Sequence, residues 1–178
     1  ERIGAPVATT LKAKGLFDGA RYDLGVFGTL STPAAGEVIA STDCILAFGA
    51  GFSRFTTGHG SYLEGARVVQ VDDDFRQLGR RHMPDAMLTG DPARVAETLL
   101  AWLDATEIPS SRATDTIDAG ALRAGFPLPK PANAPGTLDY SRALQRIDAA
   151  LPQDRIFVSD AGRFMTEAWC RIGVSAPR

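Results

Sequence analysis

The chain has 178 residues, of which 44% are hydrophobic and 22% are charged, as is usual for a soluble globular protein. Its formal net charge of -2 argues against binding to nucleic acid or to an anionic membrane, and no apolar run approaches the ~18 residues that a membrane helix needs. The two cysteines, Cys44 and Cys170, lie far apart, so we expect reduced thiols in a cytoplasmic protein. Because His59 and His82 are also scattered, we expect no metal site in this chain.

The first half of the chain alternates short apolar runs with helical patterns. Strands are predicted at residues 7–11, 44–50, 67–72 and 86–89. Residues 12–31 are rich in glycine and are predicted to be irregular, and helices are predicted to begin at Pro33 and Pro92, with Thr32 and Asp91 as N-caps. The second helix has one apolar face, formed by Val95, Leu99, Trp102 and Leu103. Strands that are apolar on both sides and alternate with helices predict a parallel sheet covered by helices, which is an α/β fold.

Residues 106–136 differ in composition, because they hold five of the eleven prolines, and we interpret them as an extended linker between domains. A helix capped by Thr137 is predicted next, with an apolar face formed by Tyr140, Leu144, Ile147 and Leu151. A strand in residues 155–162 and a helix from about Arg163 follow, and both Trp102 and Trp169 are expected in the core or at domain contacts. Since both ends of the chain are abrupt, we expect a fragment of a larger protein.

The turn after the second predicted strand is the first candidate site. Gly49-Ala50-Gly51 follows an apolar run, as in a strand that feeds a nucleotide-binding turn. The dinucleotide fingerprint G-x-G-x-x-G needs a glycine where Arg54 stands, so this pattern fails. Asp72 ends the next strand, at a position where an acidic residue would bind a ribose hydroxyl. An equally open alternative is that residues 72–74 form a solvated turn that caps a helix at Phe75.

The letters GAGFS also open the NAD site of sirtuin deacylases. The sirtuin pattern continues with a Gly-Ile-Pro-Asp-Phe-Arg run, a catalytic histidine and two Cys-x-x-Cys pairs, whereas this chain has Arg54-Phe55-Thr56-Thr57-Gly58 and no Cys-x-x-Cys. We therefore reject this interpretation. His59 is expected to be an exposed loop residue and His82 a solvated helix end.

A wider resemblance covers nearly the whole chain in one register. The central domain of acetolactate synthases and related thiamine-diphosphate enzymes is similar, in order and spacing, to four blocks: "GAPVATTLKAKGLF", "LGVFGTLSTPAAGEVIASTDCILAFGAGFSRFTTG", "ARVVQVDDDFRQLGR" and "PDAMLTGDPARVAETLLAWL". After the proline-rich segment, the opening of the diphosphate-binding domain in the same family resembles "DRIFVSDAGRFMTEAW". The chain thus resembles the acetolactate synthase/2-oxo acid decarboxylase superfamily.

The resemblance implies a Rossmann-like parallel sheet flanked by helices, of the DHS-like NAD/FAD-binding type, truncated because the family's first strand would precede Glu1. It implies a central domain at residues 1–105, a linker at 106–136 and the beginning of the diphosphate-binding domain at 137–178. The parent protein would be a lyase, carboligase or decarboxylase of a 2-oxo acid, a homodimer or homotetramer that needs thiamine diphosphate and Mg²⁺. Because the family's activating glutamate and Gly-Asp-Gly motif lie elsewhere, the resemblance assigns no catalytic residue to this chain and implies that it is inactive alone.

The resemblance also implies cofactor contacts. The thiamine diphosphate turn would comprise Ala161, Gly162, Arg163 and Phe164. The family often has Gln-His in place of Arg163-Phe164, a departure that argues against ordinary acetolactate synthase activity. In acetolactate synthases the central domain binds FAD, and the corresponding positions are Thr10, Leu11, Phe27, Gly28, Thr29, Gly49, Ala50, Asp72, Gly90 and Asp91.

Two departures bear on the flavin. Gly51 and Ser53 stand where the family's FAD enzymes have an arginine and an aspartate, and losing the arginine removes a cationic donor suited to phosphate. We therefore expect a scaffold domain rather than a bound flavin. The alternative is a stand-alone FAD- or nucleotide-binding regulatory module of the same fold.

Overall fold

The computed structural model describes residues 2–130, 134–160 and 162–175. Its strands are β1 (Val7–Thr9), β2 (Asp23–Val26), β3 (Cys44–Phe48), β4 (Arg67–Asp72) and β5 (Ala86–Thr89). Its α-helices are α1 (Pro33–Ala40), α2 (Pro92–Ala105), α3 (Ala119–Ala124), α4 (Tyr140–Ala150) and α5 (Met165–Arg171). Short 3-10 helices lie at Leu11–Ala13, Gly58–Leu63, Phe75–Gln77 and Ala113–Thr116. Across these described ranges, no helix is long and apolar enough to cross a membrane.

The ladders between the described strands are parallel. β1 pairs with β2, and β3, β4 and β5 form a second sheet in that order. The register places Cys44 opposite Arg67 and Val69 opposite Ala86. These observations confirm the predicted α/β class, with Rossmann-like parallel sheets flanked by helices. Because parallel strands run the same way, the carboxyl ends of β3, β4 and β5 meet at one edge of the sheet.

Both predicted proline-first helices form, and their N-caps explain where they begin. Thr32 Oγ1 accepts a hydrogen bond from the Ala35 amide at 3.2 Å, and Asp91 Oδ1 accepts one from the Arg94 amide at 3.0 Å. Each cap satisfies a first-turn donor that has no partner within the helix. Proline fits the first position because its missing N–H would be unpaired there anyway. The two predicted N-caps are confirmed.

Apolar side chains of the described residues pack in clusters. The first cluster lies at β3, β4 and the loop between them and holds Ala47, Phe52, Leu63 and Val68. The second lies between β2 and α1 and holds Leu24, Ala35 and Ile39. The third lies between α4 and α5 and holds Leu144, Ala168 and Ile172. The first two clusters support the sheet edges where the candidate nucleotide turns lie, and the third supports the turn before α5.

Some predictions for the first half of the chain are wrong. β2 forms inside the stretch expected to be irregular, because residues 23–26 pair with β1 even though Gly25 interrupts the apolar pattern. The strands are not all apolar and buried on both sides, since each residue of β5, the edge strand of its sheet, is exposed. Of the two positions expected for Trp102, the core is wrong, because 55% of the residue is exposed, whereas Leu103 on the same helix is buried.

The segment at residues 106–136 is not extended throughout. Ala113–Thr116 and α3 are helical, and Leu122 of α3 packs against the second cluster. The helix that follows is capped by Asp139, whose Oδ1 accepts a hydrogen bond from the Arg142 amide at 2.9 Å. The predicted cap, Thr137, instead donates its hydroxyl to the Ala134 carbonyl at 2.7 Å.

Residues 155–160 form no strand. Phe157 packs against the third cluster, whereas Ile156 on one side of it is 93% exposed and Val158 on the other is also exposed. This alternation is that of a strand, but a strand requires a neighbour that accepts and donates its backbone hydrogen bonds. The prediction from the apolar pattern is therefore wrong for this segment.

The N-terminal segment is tied to the end of α2. The Arg2 guanidinium donates hydrogen bonds to the carbonyl oxygens of Leu103 and Ile108, at 3.1 and 2.8 Å, and pairs with the Asp104 carboxylate at 2.6 Å. These carbonyls belong to the last turn of the helix and the segment just after it, where the helix itself supplies few donors. One side chain therefore holds the start of the chain, the end of α2 and the segment that follows.

Candidate functional site

Two predicted glycine turns lie side by side at the carboxyl edge of the β3–β4–β5 sheet. The Gly49 amide donates a hydrogen bond to the Val71 carbonyl at 2.8 Å, and the Gly90 amide donates one to the Asp72 carbonyl at 3.0 Å. These bonds continue the parallel ladders past the ends of the strands and place Gly49, Asp72 and Gly90 in one row. The fold thus joins residues from three separate sequence blocks at the edge where α/β sheets bind ligands.

Thr10 and Leu11 directly follow β1. The Thr10 carbonyl accepts a hydrogen bond from the Ala13 amide at 3.0 Å, which closes the short 3-10 helix. The Phe27 amide, just past β2, donates to the Thr9 carbonyl at 2.8 Å. The predicted nucleotide positions after β1 therefore lie beside those after β2.

The turn after β2 reaches the loop that follows β3. The Thr29 amide donates a hydrogen bond to the Phe55 carbonyl at 2.9 Å. Gly28 is buried with φ +107°, and a Cβ at this position would lie 2.2 Å from the Phe55 carbonyl oxygen and 2.8 Å from Thr56 Cα. The glycine is needed here because the chain's own backbone packs against it.

Gln70 is a candidate that sequence reasoning missed. It is 1% exposed, and its Nε2 donates hydrogen bonds to the carbonyls of Ala50 at 3.0 Å and Gln77 at 3.4 Å. Its Oε1 accepts one from the Gly79 amide at 3.0 Å, so one buried amide joins the loop after β3 to the loop after β4. The available signal was a polar residue inside the apolar run "RVVQVD", on the same strand face as Asp72.

The acidic residues at this edge take part in turns. Asp72 is buried, and its Oδ1 accepts a hydrogen bond from the Asp74 amide at 3.0 Å. Asp74 caps the 3-10 helix Phe75–Gln77, accepts from the Arg76 amide at 3.1 Å and pairs with the Arg76 guanidinium at 2.8 Å. Hydrogen bonds from Arg76 lower the pKa of Asp74 to about 2. The capping interpretation is confirmed for Asp74, whereas Asp72 is buried rather than solvated.

The acidic side chains at this edge already accept hydrogen bonds from the chain's own backbone. Asp72 accepts a backbone hydrogen bond within its turn, and Asp91 accepts one as the N-cap of α2. The space beside Gly28 is filled by the loop after β3, whereas a Cβ at Gly49 or Gly51 would meet no atom within 4 Å. The loop after β3 therefore covers one side of the Gly28 backbone, whereas the corresponding side of Gly49 and Gly51 is open.

The loop after β3 carries aromatic and cationic side chains. Phe52 is buried with φ +45° and packs edge-on against the His82 ring, with centroids 6.1 Å apart. His82 is thus half-buried, and the expectation of a solvated position is wrong. The Arg54 guanidinium lies 4.7 Å from the centroid of the Phe55 ring. His59, with φ +61°, is exposed as predicted.

The second candidate site is the turn before α5. Ala161 lies outside the described residues, whereas Gly162, Arg163 and Phe164 are exposed. The Gly162 amide faces Met165 Sδ at 3.4 Å, and a thioether is a weak acceptor. A backbone N–H and a guanidinium are donors that suit a diphosphate, so the chemistry of these residues fits that group.

Among the described residues, no group of three or more His, Cys, Asp or Glu side chains is placed to hold a metal ion. Cys44 is a free, exposed thiol, and Cys170 is a free thiol that is half-buried. Burial raises the pKa of the Cys170 thiol, so this group is protonated at neutral pH.

Comparison with known proteins gives related matches. The profile of the family described as "Thiamine pyrophosphate enzyme, central domain" matches residues 1–99. The chain is 29% identical to the acetolactate synthase of Mycobacterium bovis over 182 residues, which cover 100% of this chain and 29% of that protein. It is 34% identical over 110 residues to the probable acetolactate synthase large subunit of Methanocaldococcus jannaschii, which covers 61% of this chain and 19% of that protein. It is 34% identical over 100 residues to the acetolactate synthase large subunit of Pyropia yezoensis, which covers 55% of this chain and 17% of that protein.

These matches agree with the fold, and they cover only part of each relative. The chain spans less than a third of the length of each of these relatives. The family profile covers more than half of the chain, and it covers the parallel strands and the glycine turns at their carboxyl edge. The chain therefore belongs to the family of thiamine pyrophosphate enzymes, as part of their central domain and the segment that follows it.

Proposed function

We propose that this chain is part of a thiamine-diphosphate-dependent lyase, carboligase or decarboxylase that acts on a 2-oxo acid. The family match over residues 1–99 carries the proposal, and the similarity to acetolactate synthases along the whole chain supports it. In this proposal residues 1–105 are the central domain, 106–136 a linker and 137–178 the start of the diphosphate-binding domain. The whole protein is a cytoplasmic homodimer or homotetramer.

The turn at Ala161, Gly162, Arg163 and Phe164 is the part of the thiamine site that we assign to this chain. Thiamine diphosphate, held together with Mg²⁺, supplies carbanion-stabilising chemistry when it is bound. The Gly162 N–H would donate to a diphosphate oxygen, and the Arg163 guanidinium would offset the negative charge. We assign no catalytic role to a residue of this chain, because its share of the site is to hold and orient the cofactor.

We further propose that the central domain is a scaffold, a vestigial nucleotide-binding domain that functions without FAD. The packing of Gly28 against Phe55 supports this proposal, as do the backbone hydrogen bonds that Asp72 and Asp91 already accept. Visible absorbance of the purified whole protein tests it. Stoichiometric flavin released by acid extraction would contradict the scaffold role.

The second candidate is a stand-alone FAD- or nucleotide-binding regulatory module. The open space beside Gly49 and Gly51 favours it, because backbone at that turn remains accessible to a ligand. Calorimetric titration of the chain with FAD and with ADP separates the two candidates. The regulatory module predicts saturable binding of one of them, and the scaffold predicts none.

Calorimetry also tests the main proposal. The whole protein, stripped of cofactor, is expected to bind thiamine diphosphate when Mg²⁺ is present and then to consume a small 2-oxo acid such as pyruvate. The 178-residue chain alone is expected to show no thiamine-dependent activity. A whole protein without saturable binding of thiamine diphosphate would refute the proposal.

A further inference from the structure

Lys14 joins the region after β1 to the last helix of the chain. Its Nζ donates hydrogen bonds to the carbonyl oxygens of Trp169 and Ile172, at 2.5 and 2.7 Å, which lie 155 and 158 positions further along the sequence. Lys14 itself comes directly after the 3-10 helix Leu11–Ala13. A single side chain thus bridges the first strand region and α5.

The two acceptors are carbonyls at the C-terminal end of α5. In a longer helix the Trp169 carbonyl would accept from the Gly173 amide, but that amide donates to Asp148 Oδ1 at 2.8 Å. The helix ends at Arg171, so the Ile172 carbonyl also has no donor from a following turn. The Lys14 ammonium supplies donors to both, and its positive charge lies at the negative end of the helix dipole.

The contact around Lys14 is close. Lys14 is half-buried, and this burial lowers the pKa of its ammonium. The next residue, Gly15, has φ +86°, and a Cβ there would lie 2.4 Å from the Val174 carbonyl oxygen. The backbone at residues 14–15 therefore packs directly on the segment after α5. The hydrogen bonds of Lys14 thus lie within a packed contact and not on an exposed surface.

The other end of α5 carries the turn that we assign to the diphosphate. The Met165 amide donates a hydrogen bond to the Gly162 carbonyl at 3.2 Å, which joins the turn to the helix. Tyr140 Oη donates to the Phe164 carbonyl at 3.3 Å and ties the turn to α4. Because α5 has 7 residues, this turn lies only about 10 Å from the carbonyls that Lys14 holds.

α5 is also braced along its side. Glu167 accepts a hydrogen bond from Ser141 Oγ at 2.5 Å and pairs with Arg171 one turn later. The Arg171 guanidinium donates to the carbonyls of Phe126 at 3.3 Å and Pro127 at 3.1 Å. Because these contacts hold a short helix along its side, we expect a shift at its C-terminal end to reach the turn at its start.

We propose that Lys14 is a positioning residue for the diphosphate turn. By holding the C-terminal carbonyls of α5, it fixes Gly162–Phe164 relative to the edge where Thr10 and Leu11 follow β1. This inference rests on the proposed function, because it requires that the turn contact thiamine diphosphate. Lys14 does not touch the cofactor and acts through α5.

The test uses the whole protein and compares Lys14→Met and Lys14→Arg with the wild type. Lys12→Met is the matched control, because Lys12 is an exposed lysine of the same 3-10 helix. Hydrogen–deuterium exchange of peptides from residues 162–175 reports on the helix, and calorimetry with Mg²⁺ gives the Kd for thiamine diphosphate. If Lys14→Met does not fold, Lys14→Gln, which keeps a neutral donor, replaces it.

We expect Lys14→Met to speed amide exchange in α5 about tenfold and to raise the Kd for thiamine diphosphate about three- to tenfold, as expected for the loss of charged hydrogen bonds. Lys14→Arg retains N–H donors, so we expect its amide exchange rate and its Kd to stay close to the wild-type values. We expect Lys12→Met to change neither quantity. This pattern supports a positioning role, because a contact that merely stabilises the fold would leave the Kd unchanged.

Two results overturn the inference while the proposed function stands. One is a wild-type Kd in a folded Lys14→Met protein, whatever its exchange rates, and the other is unchanged exchange over residues 162–175. A wild-type protein that binds no thiamine diphosphate at all refutes the proposed function itself, and the inference falls with it.

Discussion

At the scale of single residues, Gly28 leaves no room for a side chain without strain. We expect Gly28→Ala to lower the free energy of unfolding by about 3 kcal/mol, because alanine would need a positive φ and would displace the backbone at Phe55. Gly19→Ala is the control, since Gly19 has φ +88° but open space around it, and we expect a loss of about 1 kcal/mol. Chemical denaturation followed by circular dichroism measures both, and equal losses would contradict the packing argument.

The buried amide of Gln70 gives a second prediction at this scale. Gln70→Leu keeps a similar volume but leaves the Ala50 carbonyl and the Gly79 amide without their partner. We expect the free energy of unfolding to fall by about 2–4 kcal/mol, because unpaired buried polar groups are costly. Gln145→Leu, at an exposed position of α4, is the control and should stay within about 0.5 kcal/mol of the wild type. A neutral effect of Gln70→Leu would show that the two loops do not depend on this side chain.

Asp74 gives a prediction about stability at low pH. Hydrogen bonds from Arg76 lower the pKa of Asp74 from 3.8 to about 2, so the contact contributes stability above pH 3.8, which is lost as the pH falls through about 2. Arg76→Gln is expected to raise this pKa toward 3.8. Arg80→Gln is the control, because Arg80 contacts Gln77 instead. Carbon-detected NMR titration of the Asp74 carboxyl measures the pKa, and a wild-type value near 3.8 would contradict the pairing.

At the scale of elements, Arg155 holds the C-terminal ends of α4 and α5 together. Its guanidinium pairs with Asp148 and donates hydrogen bonds to the carbonyls of Leu151, Pro152 and Gly173, at 3.3, 2.9 and 3.0 Å. The Arg155 side chain is only 12% exposed. We expect Arg155→Ala to lower the free energy of unfolding by about 3 kcal/mol, because a partly buried carboxylate loses its counter-charge.

An exposed ion pair provides the matched control for Arg155. Arg112 pairs with Asp115 at 3.6 Å, with side chains that are 93% and 64% exposed. Water screens such a pair, so Arg112→Ala is expected to change the free energy of unfolding by less than about 0.5 kcal/mol. Urea titration of both variants measures the change in the free energy of unfolding. Similar changes would show that burial of Arg155 and its hydrogen bonds to carbonyls add no stability beyond that of an exposed ion pair.

Elements with strong local signals are predictable from the sequence, and elements that depend on a distant partner are not. The strands at Arg67–Asp72 and Ala86–Thr89 have the predicted bounds, because apolar runs and turn residues mark both ends. β2 escapes prediction, since Gly25 breaks its pattern and β1 supplies the pairing. Residues 155–160 show the opposite case, in which a strand pattern lacks a pairing strand in the described part of the chain.

The same distinction applies to the candidate site. The resemblance assigns Gly49, Asp72 and Gly90 to one nucleotide site, and the structure places them at one sheet edge because each lies at the carboxyl end of a parallel strand. Gln70 leaves a partial signal, because it is a polar residue inside an apolar strand, but its partners are not predictable, and neither are those of Lys14, since only the folded chain brings these backbone groups near. The sequence can therefore mark such a side chain without identifying the distant carbonyls that it binds.

At the scale of the whole molecule, large apolar side chains remain on the surface. Ile156 and Val158 are exposed in the segment 155–160, and Met87 and Leu88 are exposed on the edge strand β5. Such surfaces favour association, so we expect the 178-residue chain to self-associate as its concentration rises.

The segment 155–160 offers a direct test of this association. The double variant Ile156→Thr/Val158→Thr should weaken self-association while changing the free energy of unfolding by less than about 0.5 kcal/mol, since both side chains already lie in water. Sedimentation velocity over a concentration series measures the association. An unchanged concentration dependence would place the contact surface elsewhere on the chain.

The contacts of Arg2 hold residue 2 against the end of α2. Its guanidinium reaches Leu103, Asp104 and Ile108, so residue 2 and residue 108 lie close together. Adjoining ends are the condition for circular permutation. A short glycine linker should therefore be able to join residue 108 to residue 2 without displacing α2 or the parallel sheets.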